Sequence, residues 1–196
     1  MRITSGIYKN RLIVAPKGDQ TRPTSAKLRA AFFNICQLYI EDAFLLDLFA
    51  GSGAIGLEAL SRGAKQVVFV DKQRHCVQCI QENLRLLGEE AHGTALCMDV
   101  LAYLEKFKSG PEKFTMIYAD PPYNAQIGKN AGALTFSEKV LALVDEKKIL
   151  QPNGLLYLED STSAFAEIKE WGSLRLKSAR RFGHSQLLEY QNILSL

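Results

Sequence analysis

Long apolar runs are missing from this chain of 196 residues. No stretch approaches the roughly 20 consecutive apolar residues that cross a bilayer as a helix, so no membrane association is expected. The opening, Met1-Arg2-Ile3-Thr4-Ser5-Gly6, lacks the apolar core of a secretory signal, and cytoplasmic residence is the expectation. Histidine is scarce, and His75, His92 and His184 are scattered without ligand spacing. The only cysteines are Cys36, Cys76, Cys79 and Cys97. Cys76 and Cys79 form a CxxC, but no second CxxC or paired histidine follows, and the pair falls in a helical pattern. Buried or half-buried free thiols are therefore expected there, with no metal. No Gly-Lys-Ser/Thr follows the glycine-rich segment, which excludes a P-loop in its usual form. Strong net charge is also absent: the total is only +3.

What is present fits one soluble domain with a small appendage, since 47% of residues are hydrophobic and 23% charged. The charge is unevenly placed. The first forty residues hold Arg2, Lys9, Arg11, Lys17, Arg22, Lys27 and Arg29 against the single acid Asp19, a larger excess than the whole chain's +3. A basic arm on a near-neutral body is an electrostatic footprint for nucleic acid. Residues 1–23 are punctuated by Gly6, Pro16, Gly18 and Pro23 and predict an extended arm or short hairpin. Thr24 or Ser25 is placed to cap a helix through about Tyr39, with Leu28, Phe32, Ile35 and Tyr39 on one apolar face.

Beyond it, short apolar runs alternate with helical patterns. Strands are predicted at Phe44–Phe49, Val67–Asp71, Thr94–Met98, Phe114–Ala119 and Leu155–Glu159. Helices are predicted at Ala54–Ser61, Lys72–Leu87, Val100–Phe107, Phe136–Glu146 and Ala164–Glu170. Such alternation implies βαβ units and a parallel sheet with helices on both faces. The tail, Leu174–Arg181 then Ser185–Gln191, predicts an antiparallel hairpin. The expected fold is α/β and Rossmann-like: a seven-stranded, mostly parallel sheet ending in that hairpin.

Two motifs fall at carboxyl ends of strands, where open α/β sheets bind ligands. The first is Asp47-Leu48-Phe49-Ala50-Gly51-Ser52-Gly53-Ala54-Ile55-Gly56, in which Gly51, Gly53 and Gly56 match GxGxxG. Asp71 follows at the distance expected of a ribose-binding acid. A dinucleotide-dependent oxidoreductase is therefore a competitor. Asp47, ahead of the glycines, favours S-adenosylmethionine instead: it could accept from that cofactor's ammonium group, whereas a pyrophosphate would be repelled. The second motif is Asp120-Pro121-Pro122-Tyr123. Two prolines cannot extend a central strand, so the chain must turn there, presenting a carboxylate, carbonyls and an aromatic ring. That set suits a flat molecule bearing an amino group.

With these motifs in place, the chain resembles the class I S-adenosylmethionine-dependent methyltransferases. More narrowly, it resembles the bacterial RsmD family, which methylates the exocyclic N2 of a guanine in small-subunit (16S) rRNA. The similarity runs through Arg2-Ile3…Gly6, Arg22-Pro23-Thr24…Arg29…Phe33-Asn34, the block from Asp47 to Ala64, and Asp120-Pro121-Pro122-Tyr123. Ala30, Asp71 and Phe182-Gly183 stand where the family more often has an acid, glutamate and Tyr-Gly. The resemblance implies a methyltransferase domain at 24–196 behind the arm at 1–23. It implies catalytic roles for Asp120, Pro121, Pro122 and Tyr123. Cofactor contacts are implied at Asp47, Phe49, Gly51, Ser52, Gly53, Asp71 and Asp99, the last toward the adenine amino group. The partner it implies is 16S rRNA in an assembled or assembling small subunit, and a monomer is expected. Lys9, Arg11, Arg22 and Arg29 are the candidate RNA contacts. Asn124–Thr135 is expected to be a loop near the target base. Alternatives are a DNA adenine-N6 or protein glutamine-N5 methyltransferase, an NAD-dependent oxidoreductase, or a noncatalytic assembly factor.

Overall fold

The computed structural model describes residues 1–16, 26–108, 110, 113–122, 134–161 and 168–193. The chain divides into two compact units, Met1–Val100 and Leu101–Leu196.

In the first unit, α1 (Ala26–Cys36) is followed by β1 (Phe44–Leu48), α2 (Ala54–Ser61), β2 (Gln66–Asp71), α3 (Arg74–Leu87) and β3 (Gly93–Cys97). β2 pairs in parallel with β1 on one side and β3 on the other. These strands are short apolar runs, and β1 is buried at Leu45, Leu46, Asp47 and Leu48. α2 is buried along its whole length, which is why it lacks a polar face. Its close seat on the sheet depends on Gly56, where a Cβ would fall 2.1 Å from the Phe69 ring. α3 has the opposite character, with Cys76, Val77, Cys79, Ile80, Leu84 and Leu87 on a buried stripe, and Gly88 ends it at φ 76°.

Within residues 1–16, Arg2 and Leu12 are bridged as an antiparallel pair, and this segment is bonded to α2, α3 and the turn after α3; residues 17–23 of the expected arm or hairpin lie outside the described residues. The Ile7 N–H donates to Ser61 O at 2.8 Å, the Tyr8 hydroxyl to Glu89 at 2.6 Å, and the Val14 N–H to Asn83 Oδ1 at 2.7 Å. α1 is shorter than predicted. It ends at Cys36, and its buried positions are Leu28, Phe32, Phe33 and Cys36; Tyr39 lies beyond the helix and is 58% exposed.

The second unit holds β4 (Phe114–Ala119), α5 (Phe136–Glu146), β5 (Leu150–Ser161), β6 (Glu170–Trp171), β7 (Leu174–Phe182) and β8 (Ser185–Asn192); α4 (Val100–Lys106) begins at the boundary. β4 and β5 pair in parallel, and β5, β8, β7 and β6 continue as antiparallel neighbours. The tail hairpin is thus as predicted. The two-residue β6 is an addition, and it places Glu170 in a strand where a helix had been expected. Most of that expected helix, 164–167, lies outside the described residues. α5 begins with a capping box, in which Thr135 and Glu138 satisfy each other's backbone N–H groups. Among the described residues, no helix is long and apolar enough to cross a membrane.

Candidate active site

The glycine segment leaves β1 through a run of left-handed residues: Phe49 at φ 58°, Gly51 at 53° and Gly53 at 74°. The phenylalanine has a Cβ, so its conformation costs on the order of 1–3 kcal/mol and must be held by its surroundings. The restraints are visible. Ala50 N–H donates to Val70 O at 3.1 Å and Gly53 N–H to Ala50 O at 2.7 Å. Gly51 N–H donates to Asp71 Oδ2 at 2.8 Å.

Asp71 therefore joins the end of β2 to the glycine turn. Its other oxygen accepts from Gln73 N–H at 2.8 Å, which fixes the chain as it enters α3. Each carboxylate oxygen keeps a second lone pair, so these bonds leave acceptor capacity for a hydroxyl ligand. Asp47 performs a related task. Gly53 is the N-cap of α2 and has no side chain to cap it. Asp47, only 2% exposed, reaches across and accepts from Gly56 N–H in the first turn at 3.0 Å. A carboxylate at a helix N-terminus is also favoured by the helix dipole.

The loop leaves room at Gly51, where among the described residues an added Cβ would meet only Phe49 O, at 3.9 Å; at Gly53 it would lie 2.8 Å from Ile80. Ser52 is half-buried. Asp99 is exposed directly before α4, so it stands at the cap position as well as at the end of β3. The residues present fit a nucleoside-bearing cofactor: space over Gly51, a carboxylate at the end of β2 and another after β3.

In the second unit, Asp120 is half-buried one residue past β4, Pro121 is buried and Pro122 is exposed. Tyr123 lies outside the described residues, as do Arg22 and residues 124–133 of the expected loop. Beneath Asp120 is a pair that sequence patterning missed. The hydroxyl of buried Tyr118 donates to buried Glu159 at 3.0 Å. Both residues sat in runs that looked purely apolar or amphipathic, and only the β4–β5 register brings them together.

One expected RNA contact is corrected. Arg29 is 4% exposed. Its Nε faces Glu58 Oε2 at 3.3 Å, within ion-pair range though not aligned as a hydrogen bond. It also donates to Arg2 O at 3.1 Å. Glu58 is buried in α2, pairs with Arg62 at 2.8 Å and accepts from Thr4. Arg29 thus anchors the hairpin to α2 and is not available to phosphate. Lys9 and Arg11 are exposed, with Arg11 donating to Leu86 O at 3.3 Å.

Cys76 and Cys79 are both buried. Burial, with smaller contributions from Asp71 and Cys79, pushes the Cys76 thiol up to about 11. Burial raises Cys79 as well, and its Sγ lies 3.0 Å from Val14 O.

Comparison with known proteins adds a consistent set of relatives. The family model described as conserved hypothetical protein 95 matches residues 1–191. A Bacillus subtilis protein, YlbH, described as a candidate rRNA methyltransferase, is 35% identical over 81% of this chain and 82% of its own length. The Haemophilus influenzae ribosomal RNA small subunit methyltransferase D is 30% identical over 81% of this chain and 78% of its own. Among solved structures, an Escherichia coli protein, yhhF, described as a candidate methyltransferase, superimposes with a TM-score of 0.82. It is 26% identical, and the match covers 100% of this chain and 99% of that one.

Proposed function

The chain belongs to the conserved hypothetical protein 95 family, the RsmD-type rRNA methyltransferases. From that premise we propose that it transfers a methyl group from S-adenosylmethionine to the exocyclic N2 of a guanine in 16S rRNA. The substrate is the assembled or assembling small subunit, met in the cytoplasm by a monomer.

The observation that carries the choice of donor is the bond from Gly56 N–H to Asp47. A dinucleotide's pyrophosphate would need the N-terminus of this helix, and a buried carboxylate already occupies its first turn. That carboxylate also holds the glycine turn in shape. Asp71 is assigned to the ribose hydroxyls, Asp99 to the adenine amino group, and Phe49 and Gly51–Gly53 to the remaining surface of the cofactor. Asp47 is retained as a candidate partner of the cofactor's ammonium group.

When bound, S-adenosylmethionine supplies a methyl group made electrophilic by its sulfonium. The difficulty lies with the nucleophile, because the exocyclic amine of guanine donates its lone pair into the ring. Asp120 carboxylate and Pro121 carbonyl are assigned as acceptors for the two amine hydrogens. Holding both favours a pyramidal nitrogen with its lone pair directed outward. The Asp120 carboxylate is also a candidate base for the proton the amine gives up, beside its role as an acceptor. Tyr123 is assigned to stack on the base, which is worth about 1–3 kcal/mol per base in single-strand binding. Alignment of a bound pair contributes up to roughly 7–11 kcal/mol. The target base must leave its stack to be reached.

The test is incubation of the purified chain with small subunits and tritiated S-adenosylmethionine, followed by digestion to nucleosides. Label in N2-methylguanosine is expected. Label in N6-methyladenosine or in protein glutamine would replace this reading with one of its rivals.

A further inference from the structure

We propose that the carboxyl-terminal half of β7 is a docking strand for the phosphate backbone of the RNA substrate, with Arg180 and Arg181 as its principal contacts. The inference rests on the rRNA reading above and adds a surface that the glycine loop and the Asp-Pro-Pro turn do not supply.

β7 carries Arg175, Lys177, Arg180 and Arg181 and no acid. Arg175 is paired with Glu170 at 3.1 Å. The other three are exposed, and none makes an ion pair among the described residues. Lys177 is the extra residue where the β7–β8 register shifts between Leu176 and Ser178. Arg180 and Arg181 follow, on opposite faces of the strand because side chains alternate.

Register places these cations at the chemical end of the sheet. Ala119 pairs with Leu158, Leu158 with Leu188, and Leu188 with Ala179. Since β8 is antiparallel to both β5 and β7, β7 runs in the same direction as β4. One step further on, Asp120 therefore stands at one end of the row and Arg180 at the other. Three strand spacings of about 4.8 Å separate their backbones by roughly 14 Å. That is the reach of a few nucleotides of an extended strand, so an RNA whose base sits at Asp120 can lay a neighbouring phosphate on β7. Arginine suits the task, because its planar fork binds phosphate oxygens in pairs.

A competing explanation is protection of a sheet edge from pairing with other chains, which charge of any sign provides. Here the charge is all of one sign. Arg180 and Arg181 lie in the half nearest Asp120, while β6 covers only Leu174 and Arg175.

The experiment compares wild type with the pairs Arg180→Gln/Arg181→Gln and Arg180→Lys/Arg181→Lys. Initial rates on small ribosomal subunits are measured over a range of KCl concentrations. For the glutamine pair, KM should rise, and the slope of log KM against log salt should fall by about 1.4–1.8, the release of two counterions. kcat should stay within about twofold and S-adenosylhomocysteine affinity should be unchanged, because neither residue meets the reacting atoms. The lysine pair should keep the wild-type slope.

An unchanged slope and KM in the glutamine pair would overturn the proposal. So would equal losses in both pairs, which would assign the effect to packing. Self-association of the glutamine pair with intact RNA affinity would assign the charges to edge protection, and overturn it as well. Should the glutamine pair not fold, Arg180→Gln alone is expected to lower the slope by about 0.7–0.9, and no change would count against the proposal. Direct binding to a 16S rRNA fragment separates this idea from the reaction assigned above. If wild type methylates no guanine yet loses salt-dependent binding in the glutamine pair, docking stands and the methylation reading falls.

Discussion

The carboxylate of Asp71 accepts from the N–H of Gly51 at 2.8 Å, tying the end of β2 to the turn that leaves β1. The same side chain is assigned to the cofactor ribose, so shaping the loop and binding the nucleoside fall to a single group. Asp71→Ala should therefore weaken S-adenosylhomocysteine binding by more than one lost hydroxyl bond. A hydrogen bond to a charged group contributes about 1.5–3 kcal/mol, or roughly tenfold to a hundredfold in Kd. Calorimetric titration gives the answer, and an unchanged Kd would remove Asp71 from the cofactor site.

Asp120→Ala should separate binding from chemistry. Methyl transfer to small subunits should be lost, while S-adenosylhomocysteine Kd stays within a few-fold, because this residue is assigned to the amine. Near-normal turnover in the tritium assay would contradict that assignment.

Two glycines in one motif should respond differently. At Gly56 an added Cβ would lie 2.1 Å from Phe69, so Gly56→Ala should lower stability by about 1–3 kcal/mol, as overpacked cores do. At Gly51 the space is open and the strain is confined to φ 53°, a cost of roughly 1–2 kcal/mol. Gly51→Ala should remain folded but bind S-adenosylhomocysteine poorly, because the methyl enters the space left for the ligand. Denaturant melts beside ligand titrations distinguish the two.

Arg29→Ala should behave as a core lesion. Removing one partner of a buried ion pair typically costs about 3–5 kcal/mol, here moderated by Arg62, which still faces Glu58. A lowered Tm is expected with the salt dependence of RNA binding unchanged. A flattened salt slope at wild-type stability would restore Arg29 as a phosphate contact.

The thiols offer a check on the CxxC. Ellman's reagent at pH 8 should find one reactive thiol in the native protein, exposed Cys97, and the remaining three only after unfolding. Cys76, pushed up to about 11, is almost wholly protonated at that pH, and the thiolate is the reacting form. Rapid loss of Cys76 and Cys79 together would indicate a redox pair instead.

Much of this fold was legible because its strands are short apolar runs bounded by glycine, proline or acid. Phe114–Ala119 coincides with β4, and Ala54–Ser61 and Phe136–Glu146 coincide with α2 and α5. Boundaries drifted where periodicity continued past the last helical bond, as at Tyr39, whose spacing fits a stripe that the helix no longer reaches. β6 is two residues long and carries no pattern of its own. At the site, Asp47 and Asp71 could be located from spacing alone, but not their bonds to Gly56 and Gly51, which depend on a left-handed backbone. Arg29 misled because charge count cannot distinguish a solvated cation from one drawn inward by Glu58, whose burial in α2 only the packing reveals. The cations of β7 were visible in the sequence, yet their alignment with Asp120 requires three successive strand registers.

The most direct measurement is nucleoside mapping of 16S rRNA from cells with and without this chain, with the Asp120→Ala form returned to the deficient cells. One guanine should carry N2-methylation only when the intact chain is present, and the Asp120→Ala form should leave it unmodified. Identical guanine modification in both strains, or a lost mark on adenine or on protein, would contradict the account.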